Sequence, residues 1–166
     1  MELFDAIATR SSAGRLAAPG PSPSELERLL QAAARAPDHG RLRPWRFIVL
    51  EGANREAFAA AAAAAKRALS AITEEQMAAD RDKVLRSPTL VIAACAVDRN
   101  SKIPEIEQII AVAAAVENLF LAAHALGYGV MWKTGAAAYD AKVKALLGLQ
   151  THDHIVAIVH LGTRVK

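Results

Sequence analysis

The sequence contains one cysteine, Cys95, so no internal disulfide forms and a reducing compartment is the natural expectation. Cys95 sits in the apolar run Leu90 to Val97, where it reads as a small buried hydrophobe with a blunted thiol. Aromatic residues make up only 5%, too few for a base-stacking platform. Charge is also nearly balanced, with twenty Lys and Arg against seventeen Asp and Glu, net +3, and no long basic run. A nucleic-acid partner is therefore not expected, whereas a small anionic ligand is compatible. The simple cofactor and nucleophile spacings are missing: there is no Walker loop, no Gly-x-Gly-x-x-Gly, no nucleophile elbow, no zinc-finger spacing and no His-Glu-x-x-His. Gly127-Tyr128-Gly129 follows a helical pattern and precedes a strand, the reverse of a dinucleotide turn. His152 and His154 share one face of a strand entry, but spacing offers no third ligand, so no metal site is assigned. The opening MELFDAIATRSSAGR has early acidic residues and no long apolar core, unlike a secretory signal, and a cytoplasmic location is expected.

What is present is apolar and helix-forming. Hydrophobic residues are 53% of 166 and charged residues 22%, with mean hydropathy +0.17, which excludes wholesale disorder and fits one domain. Alanine and the aliphatics carry this content, more of it than a domain of this size hides comfortably, so a partner chain is expected. Leu3, Ala6 and Ile7 give a short first helix. Ser22-Pro23-Ser24-Glu25 forms a capping box that starts a second, striped by Leu26, Leu29, Leu30 and Ala33 and ended by Pro37. Trp45 to Leu50 reads as a buried strand, followed by an alanine-rich helix that includes Ala59 to Ala65 and by a helix over Thr73 to Leu85, where Thr73 and Gln76 fit a second capping box. Leu90 to Val97 is a second strand. Pro104 opens a long helix to about Leu126, stopped by Gly127. Glu117 and Asn118 in its middle argue against a membrane span and for burial in protein. Gly129 to Thr134 reads as a strand, Tyr139 to Leu147 as a helix and Ile155 to Leu161 as a last strand, giving an α+β three-layer domain with one dominant central helix.

Polar chemistry gathers at three breaks. Arg10-Ser11-Ser12 offers a guanidinium fork and two hydroxyls suited to a phosphate. Arg35, His39, Arg41 and Arg43 form a basic cluster bracketed by Pro37 and Pro44. Trp132-Lys133-Thr134-Gly135 brings a cation and a hydroxyl to a strand end, where core packing of Trp132 and snorkelling of Lys133 are the ordinary alternatives.

In this order, Arg10-Ser11-Ser12, Arg35-Ala36-Pro37-Asp38-His39 with Pro44-Trp45-Arg46-Phe47, and Gly127-Tyr128-Gly129 leading into Trp132-Lys133-Thr134-Gly135 resemble the FMN-dependent nitroreductase family, most closely its small bacterial YdjA-type branch. The resemblance spans nearly the whole chain, to Leu161-Gly162-Thr163. It implies a nitroreductase-like α-β-α sandwich over residues 1–166 and a homodimer that shares its flavin sites, with the long helix in the interface. It also implies FMN held by Arg10, Ser11 and Ser12 at the phosphate and ribityl chain, by Arg35 and His39 from the other subunit, and by Trp132, Lys133 and Thr134 at the strand end beside the flavin and its phosphate. The implied activity is a ping-pong transfer from NADH or NADPH to nitroaromatic, quinone or similar acceptors, with no obligatory protein acid or base. A non-catalytic flavin-binding protein and a structural dimer of the same fold are the alternatives. Two departures stand out. The loop Asp38 to Arg43 lacks the Ser, Asn and Gln usual in the wider family, and the sequence stops at Lys166, where family members commonly continue into a tail that embraces the partner.

Overall fold

The computed structural model describes residues 1–165. In chain order the elements are α1 (Leu3–Thr9), β1 (Leu16–Ala17), α2 (Pro23–Ala33), β2 (Trp45–Leu50), α3 (Gly52–Leu69), α4 (Glu74–Leu85), β3 (Thr89–Cys95), α5 (Glu105–Ala125), β4 (Tyr128–Lys133), α6 (Ala141–Leu146) and β5 (His154–Arg164). Short 3-10 turns occupy His39–Arg41 and Ala136–Ala138. Both expected capping boxes form. Ser22 and Glu25 exchange hydrogen bonds at the start of α2, with Pro23 at its first position, and Thr73 and Gln76 do the same for α4. Gly127, at φ +88°, takes the chain out of α5 into β4.

Every strand pairing is antiparallel, in the order β1-β5-β3-β2, with β4 on the other side of β5. The two-residue period of the strands divides their side chains between two cores. Val91, Ala93, Cys95, Val130, Ala157, Val159 and Leu161 pack with residues of α2 and α5 on one face. Leu90, Ile92, Ala94, Ile155 and Ile158 pack with Phe58 and Ala65 of α3 and Val143 of α6 on the other. The domain is therefore the α+β three-layer sandwich, with the sheet in the middle.

Gly129 and Gly162 face each other across β4 and β5. A Cβ on Gly129 would lie 2.6 Å from Leu16, and one on Gly162 would lie 2.6 Å from Pro88. Glycine here lets the Ala13–Leu16 segment and the turn before β3 press against the sheet.

Some boundaries differ from the sequence expectation. β1 escapes a periodicity reading because it has only two residues. The helix expected over Tyr139 to Leu147 is confined to α6, because the Asp140 carboxylate accepts from the Lys142 and Val143 N–H groups and so caps it there. β5 runs on to Arg164, since β4 and β1 supply partners beyond Leu161. Only His154 of the His152/His154 pair belongs to β5; it contacts Glu105 at 2.6 Å, while His152 lies in the preceding turn.

The long apolar helix also differs in how it is covered. α5 is long and apolar enough by length and composition to cross a membrane. In the fold it is the central core helix: Val112, Ala115, Val116, Leu119, Phe120 and Ala123 are buried by its own chain. The apolar residue left open is smaller, namely Ile106 and Ile110 on α5 and Leu3, Phe4 and Ile7 on the neighbouring α1. Replacing fully buried Leu119 with Ala is expected to cost about 2–5 kcal/mol. Replacing Ser22 with Ala, which removes one cap, is expected to cost about 1 kcal/mol, both read from urea midpoints at constant m.

Candidate functional site

β4 ends at Lys133, and Gly135 at φ +62° turns the chain away. Because Met131 pairs with His160 and Lys133 with Ile158, Lys133 and His160 project from the same sheet face, the one covered by α3 and α4. Two cavities meet there. The first, about 410 Å³, lies between the sheet and α3–α4, with Phe58, Ala62, Val84 and Ile158 in its walls and Thr134 at its rim. The second, about 430 Å³, is lined by Arg15, Lys83, Arg86 and Lys133 together with Gly14 and Ser87, and no carboxylate among the described residues lines it. Lys83, Lys133 and His160 belong to both.

The electrostatics of this junction follow from crowding of like charge. Burial, then the nearby charges of Lys83 and Arg86, lowers the Lys133 pKa. His160 is 2% exposed, its Nδ1 lies 2.8 Å from Ser87 Oγ, and burial followed by the charge of Lys133 pushes its pKa down to about 4. The imidazole is therefore neutral near pH 7. Asp80, which borders the first cavity, is held below the usual carboxylate range by hydrogen bonds from Lys66 and Lys83. The Lys66–Asp80 and Arg67–Glu74 pairs fasten α4 to α3, whereas Lys83–Asp80 lies within α4; α4 itself buries no residue.

The first and third sequence clusters meet along β4. The Ala13 N–H donates to the Val130 carbonyl at 2.8 Å, which lays the Arg10–Ala13 turn against that strand. Arg10 Nε stands 3.5 Å from Glu117, its guanidinium is 6.0 Å from the Phe120 ring centroid, and Phe120 packs edge-on to Trp132 at 6.2 Å. Trp132 is partly exposed and donates its indole N–H to the Val156 carbonyl at 3.0 Å, so it is anchored to the strand pair and not buried as an ordinary core aromatic. Arg164 donates to the Ser11 hydroxyl at 3.2 Å and to the Ser11 carbonyl at 2.6 Å, while Ser12 is exposed.

The second cluster stays apart within one chain. Arg35 and His39 are exposed and line neither cavity. His39 contacts Glu107 at 2.5 Å, ten residues along α5 from the Glu117 partner of Arg10, or about 15 Å at the helical rise. The backbone of this loop is unusual, with positive φ at Gly40, Arg41 and Arg43, and the Asp38 carboxylate accepts from the Arg43 N–H at 2.6 Å.

Sequence reasoning overlooked Asp80, Lys83, Arg86, His160 and Arg164. Lys83 and Arg86 are three apart, one helical turn, which is common on solvated faces and carries no signal alone. His160 did leave one, as a lone polar residue inside the apolar run of β5.

The sequence pattern of the nitroreductase family matches residues 7–163. YdjA of Escherichia coli K12, whose name describes an NAD(P)H nitroreductase, is 34% identical over 165 residues, covering 98% of this chain and 88% of YdjA. A nitroreductase-like family protein from Bacillus cereus superposes with TM-score 0.85 at 26% identity, over 100% of this chain and 87% of that one. A nitroreductase from Desulfovibrio desulfuricans, solved in complex with FMN, has the same fold at TM-score 0.78 and 24% identity, over 100% of this chain and 88% of that one.

The depressed pKa of His160 has a consequence for stability. Between the ordinary value of 6.5 and about 4, the unfolded chain binds a proton there that the native state refuses. Stability is therefore lost as pH falls through that window, by up to about 3 kcal/mol from this group. Urea titrations of the wild type and His160→Gln at pH 7 and pH 4.5 should show the wild type losing more stability on acidification; parallel losses would contradict the assignment.

Proposed function

The chain belongs to the nitroreductase family, and from that premise we propose that it is an FMN-dependent oxidoreductase carrying reducing equivalents from NADH or NADPH to nitroaromatic, quinone or similar acceptors. The observation that carries the reading is the end of β4, where Lys133 and Thr134 meet two cavities that also gather Lys83, Arg15 and Arg86, with the Arg10–Ser12 turn laid along the same strand and tied to Arg164. The donor set fits FMN. An apolar chamber suits a planar ring, and hydroxyls with guanidinium and ammonium groups suit a phosphate dianion and the polar edge of the ring. Arg10, Ser11, Ser12 and Arg164 would hold the phosphate end; Trp132, Lys133 and Thr134 would border the ring. Bound FMN supplies hydride acceptance and donation, so donor and acceptor use one site in turn by a ping-pong cycle. The residues of the chain then bind, orient and bias charge, and none is required as an acid or base.

We also propose a homodimer in which Arg35 and His39 reach the flavin site of the partner. Support comes from their exposure away from the cavities of their own chain and from the open apolar residues Phe4, Ile7, Ile106 and Ile110. Placing the whole cycle in the cytoplasm accords with the single free cysteine.

The purified protein should be yellow and should oxidise NADH or NADPH when a nitroaromatic acceptor is present; a colourless protein that takes up no added FMN would refute the reading. Arg10→Ala and Arg164→Ala should each weaken FMN affinity at least tenfold, as expected for lost charge-assisted hydrogen bonds, while the circular dichroism spectrum is kept. Ile110→Asp should shift the sedimentation of the protein toward the monomer and release FMN in parallel. Retention of both the dimer and the flavin would remove the interface from α5.

A further inference from the structure

His160 is the buried titratable group for which the proposed reaction has no use. It is 2% exposed, sits on the sheet face where both cavities meet, and is bonded through Nδ1 to Ser87. Its Nε2 makes no hydrogen bond among the described residues, nor is it sealed off from the cavities, since Arg55 Nε is the one buried side-chain nitrogen or oxygen there without a partner. A nearly buried imidazole with one nitrogen anchored and the other open to a cavity points to a ligand atom.

The surroundings fix which kind of atom. Lys83 from α4, Arg86 from the end of that helix and Lys133 from β4 all face the junction as donors, and Asp80 is already engaged by Lys66 and Lys83. A neutral imidazole has one N–H. When the Ser87 hydroxyl is the donor to Nδ1, that proton sits on Nε2, which then donates alongside Lys83, Arg86 and Lys133. We propose that His160, anchored by Ser87, donates its Nε2–H to the carbonyl-bearing edge of the bound flavin ring and, with Lys133 and Lys83, favours the ring in its electron-rich, reduced form. The inference rests on the FMN reading above and adds a residue to it. No bond is made or broken by His160; its part is a hydrogen bond that strengthens as negative charge grows on the ring.

The test compares the two redox forms of FMN on the full-length protein. Binding of oxidised FMN is followed by fluorescence quenching, and the midpoint potential of the bound flavin by dye equilibration, for wild type, His160→Leu, His160→Gln and Ser87→Ala. His160→Leu should bind reduced FMN at least tenfold worse than its loss for oxidised FMN, equivalent to a midpoint about 30 mV more negative for a two-electron couple. His160→Gln, which retains an N–H of similar reach, should recover most of that shift, and Ser87→Ala should fall between wild type and His160→Leu. Equal losses for both redox forms, or a midpoint unchanged in His160→Leu, would overturn the inference. If His160→Leu fails to fold, a wild-type midpoint in Ser87→Ala would overturn it. Absence of FMN binding by the wild type would instead sink the functional reading.

Discussion

The site depends on the strand β5. Its eleven residues pair with β3 along one edge, β4 along the other and β1 at the far end. The strict alternation of a strand gives this single segment two jobs. Ala157, Val159 and Leu161 close the core beneath α5, whereas Ile158, His160 and Gly162 shape the opposite face. A one-residue slip would send His160 into the α5 core and lift the Gly129–Gly162 contact away from Pro88. The cavities exist because that register is held, and it is held because both edges of β5 are paired.

Charge at the junction carries a cost that the fold does not relieve by itself. Arg15, Arg86 and Lys133 face one cavity with no carboxylate in its walls among the described residues, and burial together with the same crowding lowers the pKa of Lys133. Lys83, the fourth cation in these walls, shares Asp80 with Lys66. A cavity wall that gathers cations in this way is a feature of ligand sites. An anionic ligand resolves the repulsion and is drawn to the site by it.

Much of this architecture is legible in the sequence because it is written in local chemistry. Capping boxes at Ser22 and Thr73, the proline-bounded loop before Trp45 and the helix stop at Gly127 act within a few residues, so spacing reveals them. The Arg10–Ser12 and Trp132–Thr134 clusters also show as contiguous polar breaks. Arg164 meeting Ser11 is different, since 153 positions separate the two and only the pairing of β5 with β4 and β1 brings them together. His160 and Ser87, 73 positions apart, are hidden for the same reason. The tertiary register, and no local propensity, creates these contacts.

The apolar excess of the composition divides into two parts once α5 is in place. Its inner side is satisfied by the sheet and α2 within one chain, so most of the helix needs no partner. Ile106 and Ile110 remain open on the same helix that holds Arg10 through its exposed Glu117, and α1, which meets that helix at His124, leaves Phe4 and Ile7 open as well. One helix therefore ties the open apolar residues to the arginine expected at the flavin phosphate. A second chain settling on that patch would meet α5 within a few turns of Arg10, and would bring with it a loop whose Arg35 and His39 have no work at the cavities of their own chain. Assembly and cofactor binding would then be coupled through a shared surface, because a group that both subunits touch binds a dimer better than a monomer and stabilises it by mass action.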